Sequence, residues 1–302
     1  MPEKPEGPAS CPYGALFACP VCGEPLAQDD RAFRCVEGHV FDIAREGYVN
    51  LLLPQHRRSK DPGYSREMIA GRRDFFDAGY YQRLADRVAD VIISYLPGQA
   101  ERAVLDAGCG EGYYLRRLRV RLGEQGQDGS TLLCGIDLSK HAIRVAARRD
   151  PRGLYAVAGI YRMPVLPCRI DVLLTHFSPV SAADFRRVVR PGGVVIVGGP
   201  GEDHLYSLKK VLYETPAKHE ATHTLADEPG FEVIDTHRIR YNVALRGRGE
   251  VANLLLMTPY YWSADQVTQV RLAELDSLDT EVDVVLHAYR RTHEASQEQP
   301  TE

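Results

Sequence analysis

The sequence predicts an α/β protein: a seven-stranded, mostly parallel sheet covered on both faces, preceded by a small metal-stapled module. Three observations predict it. Three cysteines and a histidine stand together near the N-terminus as Cys19-x2-Cys22-x12-Cys35-x3-His39. An apolar run from Ala103 to Asp106 feeds a glycine-rich turn, Asp106-x-Gly108-x-Gly110-x-Gly112, which opens a helix near Tyr113. From there to about Arg291, Val/Leu/Ile-rich runs alternate with helical segments, as in a parallel sheet buried on both faces.

A chain of 302 residues has room for a small domain beside a larger one. Its 44% apolar and 26% charged residues are ordinary for a globular protein. Nothing in it approaches the roughly 20 consecutive apolar residues of a membrane span. The opening "MPEKPEGPAS" has no apolar core of a secretory signal, so a cytoplasmic location with reduced thiols is expected. The net charge of −4 provides no global basic field for nucleic acid. Of three local basic stretches, "RRLRVR" and "RVAARRDPR" read as solvated helix faces. "QHRRSK" lies in a loop, which singles out Arg57, Arg58 and Lys60.

The N-terminal cluster has three readings: redox pair, disulfide or metal site. Reduced thiols disfavour a disulfide, and a thioredoxin-type pair needs a βαβ context and leaves Cys35 and His39 without a role. Two ligands from each of two tight turns suit tetrahedral Zn²⁺, so Cys19, Cys22, Cys35 and His39 are the expected ligands. Four ligands close the shell, which makes the ion structural. It staples a stretch with almost no core of its own, in which "AFRC" and "HVFDIAREGYVNLL" form short ribbon strands. Cys11, in the Pro/Gly-rich leader, is incidental.

The glycine turn is not the dinucleotide G-x-G-x-x-G, because its third glycine comes one residue early. The D-x-G-x-G-x-G form is typical of class I S-adenosylmethionine (SAM) methyltransferases, where glycines let backbone close on the ligand at a helix N-terminus. Asp106, Gly108, Gly110 and Gly112 are therefore cofactor candidates. The next strand, "TLLCGIDLS", ends in Asp137, whose carboxylate suits both ribose hydroxyls. Strands follow at Leu154 to Gly159, Ile170 to Phe177, "VVIVGG", "FEVIDTHRIRYNVAL" and "VDVVLHAYRRT". Helices are expected at "SKHAIRVAARR", at "SAADFRRVVRPGG" up to Pro191 and Gly192, at "DHLYSLKKVLYE" and at "GEVANLLLMTPYYW". The expected organisation is a leader at 1–17, a zinc-binding domain at 18–55, a linker with helix at 56–100, a methyltransferase domain at 101–293 and a disordered tail at 294–302.

"FDIAREGYVNLL", "RSKDPG", "FFDAGYYQ", "LDAGCGEGYY" and "LLLMTP" follow the Cys/His cluster in one order. Together they resemble the RlmA-type 23S rRNA (guanine-N1)-methyltransferases over nearly the whole chain, from Cys19 to near Arg291. The resemblance implies a Rossmann-like class I fold, one structural zinc, SAM as cofactor and methylation at N1 of one guanine in hairpin 35. One branch of the family modifies guanine 745; the other, linked to macrolide resistance, modifies guanine 748. "RRSKDPGYS" and "GCGEGYY" lean toward the first, and "HFSP" and the acidic leader fit it less well. The resemblance also implies SAM contacts at Tyr81, Gly110, Glu111 and His204, zinc ligation by Cys19, Cys22, Cys35 and His39, and a homodimer. Without it, Tyr81 and His204 read as packing or helix-end residues, and Glu111 as an acid in the first turn of its helix.

Guanine N1 carries a proton and lies on the Watson–Crick edge, so a general base and an unpaired or flipped base are expected. His176, with Ser178 beside it at the end of its strand, is the candidate base; it reads equally as a packed histidine. Tyr80, Tyr81, Tyr113, Tyr114, Tyr260, Tyr261 and Trp262 are candidate stacking residues, most of them expected to be core. The partner is the 23S rRNA hairpin or a ribosomal assembly intermediate, with no membrane. Two rivals stand beside this: a class I methyltransferase acting on another RNA, a small molecule or a protein, and a non-enzymatic zinc-ribbon module on a retired methyltransferase fold.

Overall fold

The computed structural model describes residues 15–56, 65–98, 101–220, 225–258 and 274–292, together with 260, 265, 269, 270 and 272. The N-terminal module is a three-stranded antiparallel sheet of β1 (Ala27–Gln28), β2 (Ala32–Arg34) and β3 (Val40–Asp42). The chain then makes β4 (Tyr48–Asn50), which leaves the module and pairs parallel with β7 (Leu154–Val157), Tyr48 opposite Tyr155. Helices α1 (Arg66–Asp77) and α2 (Gln82–Ser94) come next. The first is capped by Ser65, whose Oγ accepts the Met68 N–H at 3.2 Å.

The main body runs β5 (Arg102–Ala107), α3 (Tyr113–Glu124), β6 (Thr131–Asp137), α4 (Lys140–Arg149), β7, β8 (Ile170–His176) and α5 (Ala182–Val188). It continues with β9 (Val189–Pro200), α6 (Tyr206–Leu212), β10 (Phe231–Arg246), α7 (Arg248–Leu256) and β11 (Ser277–Arg291). The sheet order is β10-β11-β9-β8-β5-β6-β7-β4. Strands β4 to β9 in this sheet are parallel, and β11 and β10 are antiparallel. The seven strands read from the sequence are all present, and β4 is an eighth. Strand order reverses between β5 and β8, and the crevice outside the carboxyl ends of such strands is where open α/β sheets bind ligands.

The parallel strands are buried end to end because each face of the sheet has its own cover. One face packs against α2, α3, α4, α6 and α7 through side chains such as Val88, Leu115, Ile143, Leu208 and Leu254. The other packs against α5 and the zinc module. No helix joins β7 to β8. Leu16, Phe17, Leu26 and Phe33 of the module enter the core there, and Phe17 bridges Val165 in the β7–β8 connection. The Ala18 N–H donates to the Pro164 carbonyl at 3.0 Å, which fastens the module's first turn to the same loop.

Two elements differ from expectation, and the first is Tyr48–Asn50, which read as a ribbon strand but joins the main sheet as β4. In the second, the helix read through Pro191 ends at Val188, and Pro191 to Gly193 lie inside β9. Pairing with β8 shifts register there, from Ile170 opposite Val189 to Val172 opposite Val194. Such an irregularity tolerates a proline, which has no N–H for the ladder. Among the described residues no helix is long and apolar enough to cross a membrane.

Candidate active site and metal centre

The zinc ligands converge. The Sγ atoms of Cys19, Cys22 and Cys35 and a ring nitrogen of His39 all lie within 4.8 Å of one another. Cys22 and Cys35 sulfurs are 3.7 Å apart, and Cys35 Sγ is 3.3 Å from His39 Nδ1. Two thiolates each about 2.3 Å from a tetrahedral Zn²⁺ stand about 3.8 Å apart, so the donor set has the size of the ion's shell. The two turns that place it are closed by backbone bonds, Gly23 N–H to the Cys19 carbonyl at 2.8 Å and Gly38 N–H to the Cys35 carbonyl at 3.1 Å.

The second centre forms at the carboxyl ends of β5, β6, β8 and β9. Asp106 ends its run on β5, buried, and burial pushes its carboxyl up to about 8, with Arg72 opposing and Asp137 and Glu111 adding to the rise. Asp137 ends β6, where Oδ1 accepts the Ser139 N–H at 2.7 Å and Oδ2 the Gly110 N–H at 3.0 Å. Burial raises its pKa as well, against those two bonds. Glu111, also raised by burial, meets the Arg72 guanidinium at 3.2 Å. Asp106 Oδ2 and Glu111 Oε1 are buried with no hydrogen-bond partner. Buried acceptors of that kind call for donors that these described residues do not supply. Gly108 sits at φ 92°, and a Cβ there would lie 1.8 Å from Ser178 Oγ, so only glycine lets the turn and the β8 loop close together. Gly112 is the N-cap of α3.

Beside this turn lies a cavity of about 470 Å³, lined among others by Met68, Arg72, Tyr81, Phe177, His204 and Tyr260. Tyr81 and His204 meet across it, Oη to Nε2 at 3.5 Å. His204 Nδ1 accepts the Asp283 backbone N–H at 3.3 Å, which assigns the proton of the neutral ring to Nε2. Burial lowers His204 to about 3, so it stays neutral at physiological pH. The residues read from the sequence at Asp106, Glu111, Asp137, Tyr81 and His204 are thus brought to one end of the sheet.

His176 ends β8 outside the residues that line the cavity, edge-on to Tyr114 at 4.6 Å and so close to Gly198 that a Cβ there would lie 2.0 Å from its Nδ1. Burial takes its pKa down to about 3, and neither ring nitrogen has a partner. Of the candidate stacking tyrosines, Tyr113 stacks on Phe76 at 4.2 Å, Tyr81 and Tyr114 line the cavity but are buried, and Tyr260 lines it half-buried. Tyr261 and Trp262 lie outside the described residues, as do Arg57, Arg58 and Lys60.

Among the cavity residues that sequence reasoning missed, Phe177 and Arg72 bear most directly on the site. Phe177 is 39% exposed and held at φ 52°, left-handed for a non-glycine, with its ring 5.2 Å from His204. Strained conformations of this kind cluster at functional sites. Arg72 enters from α1, and no local signal separates it from its neighbour Arg73, which pairs with Asp74 in solvent.

The family model described as "RlmA, N-terminal", a zinc ribbon, matches residues 17–60, and one described as "Methyltransferase domain" matches residues 99–230. A 23S rRNA (guanine(748)-N(1))-methyltransferase of Streptomyces fradiae is 34% identical over 264 residues, 86% of this chain and 91% of that one. A Bacillus subtilis (strain 168) protein provisionally named a 23S rRNA (guanine-N1)-methyltransferase is 33% identical over 277 residues, 89% and 95% of the two chains. A similarly named Micromonospora griseorubida protein is 34% identical over 270 residues, 82% and 87%.

Proposed function

We propose that this chain, which belongs to the family of 23S rRNA (guanine-N1)-methyltransferases, methylates N1 of one guanine in the hairpin 35 region of 23S rRNA. The observation that carries the reading is the end-to-end correspondence with relatives named for that reaction, which takes in both the zinc module and the methyltransferase body. "RRSKDPGYS" and "GCGEGYY" favour guanine 745, while the Streptomyces fradiae relative is named for guanine 748. We place the reaction in the cytoplasm, on the hairpin or a ribosomal assembly intermediate, with the enzyme acting as a homodimer.

The proposed SAM site comprises Tyr81, Asp106, Gly108, Gly110, Glu111, Gly112, Asp137 and His204. When bound, SAM supplies an electrophilic methyl group for an in-line displacement, so the protein's task is mainly positioning. Asp137 is proposed to accept from the ribose hydroxyls while its oxygens also accept the Gly110 and Ser139 N–H groups. Asp106 and Glu111 offer unpartnered carboxylate oxygens to donors at the methionine end. The guanine must leave its stack to present N1. Phe177 and Tyr260 offer ring faces at the cavity for the flipped base. His176, the candidate base read from the sequence, is buried outside the residues that line the cavity and burial holds its pKa to about 3, so it is a poor acceptor of the N1 proton and a packing role is proposed for it. Arg57, Arg58 and Lys60 are proposed to hold RNA phosphates and so position the hairpin without reading its sequence.

Primer extension across hairpin 35, with and without prior treatment by enzyme and SAM, tests the function. N1-methylguanine blocks reverse transcriptase, so a new stop names the modified base. No stop on free rRNA or on ribosomal particles refutes the assignment and favours a methyltransferase of another substrate class.

A further inference from the structure

The glycine turn beside the cavity is acidic, although no carboxylate is among the described residues that line the cavity itself. Asp106, Glu111 and Asp137 are all buried there, at 1%, 1% and 8% exposure. SAM carries a sulfonium, an ammonium and hydroxyls that such carboxylates suit. It also carries an α-carboxylate, which they repel. A buried anion needs a charged or strongly donating partner, and removing that partner leaves an expensive unpaired charge. His204 is neutral, and burial likewise holds His219 below its ordinary pKa. Among the described residues that line the cavity, Arg72 is the one permanent cation.

Its placement is built in. Helix α1 is fixed by the Ser65 cap and by Phe75 and Phe76, which are 1% and 3% exposed. Arg72 therefore points inward at 15% exposure while Arg73 faces solvent. The guanidinium lies 5.2 Å from the Phe76 ring centroid and touches Glu111 through Nε. It also lies over the glycine turn: a Cβ on Gly110 would come within 3.4 Å of Arg72 Cζ. That puts a planar two-pronged donor, the group best matched to a carboxylate, directly above the backbone that closes on the methionine end of the cofactor.

We propose that Arg72 is the anchor for the α-carboxylate of SAM, with Glu111 holding the guanidinium in register. Binding is the readout, so the test is independent of which RNA is methylated. Isothermal titration of the zinc-loaded full chain compares SAM, decarboxylated SAM and 5′-methylthioadenosine, which keeps the adenosine end alone. Wild type binds SAM about 10- to 100-fold more tightly than decarboxylated SAM, the span of a charge-assisted pair. Arg72→Gln loses that preference and binds methylthioadenosine unchanged; Arg72→Lys, which keeps the charge without the fork, recovers part of it. Equal wild-type affinity for SAM and its decarboxylated form overturns the proposal, and this arm needs no variant to fold. So does an Arg72→Gln protein in which all three ligands weaken alike, which makes Arg72 a structural partner of Glu111. A variant that binds SAM as well as wild type, or better, makes the side chain an obstruction instead.

Discussion

Replacing Phe17 with Ala is expected to destabilise the whole chain, and not only the zinc module. Phe17 is 0% exposed, lies edge-on to Phe33 at 5.6 Å and bridges Val165 in the main body. Its ring fills the face of the sheet where a β7–β8 helix is lacking. A buried Phe→Ala change costs about 3–5 kcal/mol through lost transfer energy and the cavity left behind. For a chain of this size roughly 2 °C of melting temperature accompanies each kcal/mol, so the midpoint should fall by about 6–10 °C. Calorimetry and far-ultraviolet circular dichroism should report one transition, with faster hydrogen exchange at Ala156 and Val165 on the distant side of the contact. Chelating the zinc should do the same and more, because metal binding by such modules is folding energy of order 10 kcal/mol. Two separate transitions, with the methyltransferase body melting where it does in the wild type and still binding SAM, would refute the view that the module is a lid on the sheet.

Three further outcomes follow from the site. Burial lifts Asp106 to about 8 from an ordinary value near 3.8, so the ligand-free fold holds a proton that the unfolded chain releases, and its stability falls as pH rises from about 4 to 8. Cationic SAM favours the ionised form, so affinity should rise across the upper part of that window with measurable proton release, and Asp106→Asn should flatten the profile; a flat wild-type profile would remove Asp106 from the site. His176→Ala should lower thermal stability while leaving kcat within a few-fold and SAM binding intact, as a packed neutral ring predicts; a loss of about 10²-fold or more in kcat would instead give the ring the N1 proton. Arg57→Ala with Arg58→Ala should weaken RNA binding and its salt dependence while sparing SAM, and equal RNA affinity would end the phosphate-docking role.

What the sequence determined by itself was chemistry that needs only short-range geometry. Cys19 and Cys22 belong to one tight turn and Cys35 and His39 to another, so their spacing names a metal before any fold is known. Asp106 to Gly112 is legible for the same reason: turn, strand end and helix start are consecutive, and the glycines are demanded by backbone contact. The buried apolar residues of β5 and β9, such as Val104 and Ile196, likewise declare a covered parallel sheet by composition alone. The tertiary structure decided what depends on distant partners. Tyr48 to Asn50 read as ribbon, yet they join the main sheet beside Tyr155 to Val157, because an open strand edge there offered unpaired backbone groups. Phe33 read as part of a ribbon strand and Phe17 carried no signal, yet both cover a face of the main sheet that lacks a helix. Arg72 and Arg73 are the same residue type side by side, and only the packing of α1 points one at the buried carboxylates and the other at water. Such choices are made by contacts far apart along the chain, and neither periodicity nor motif spacing encodes them.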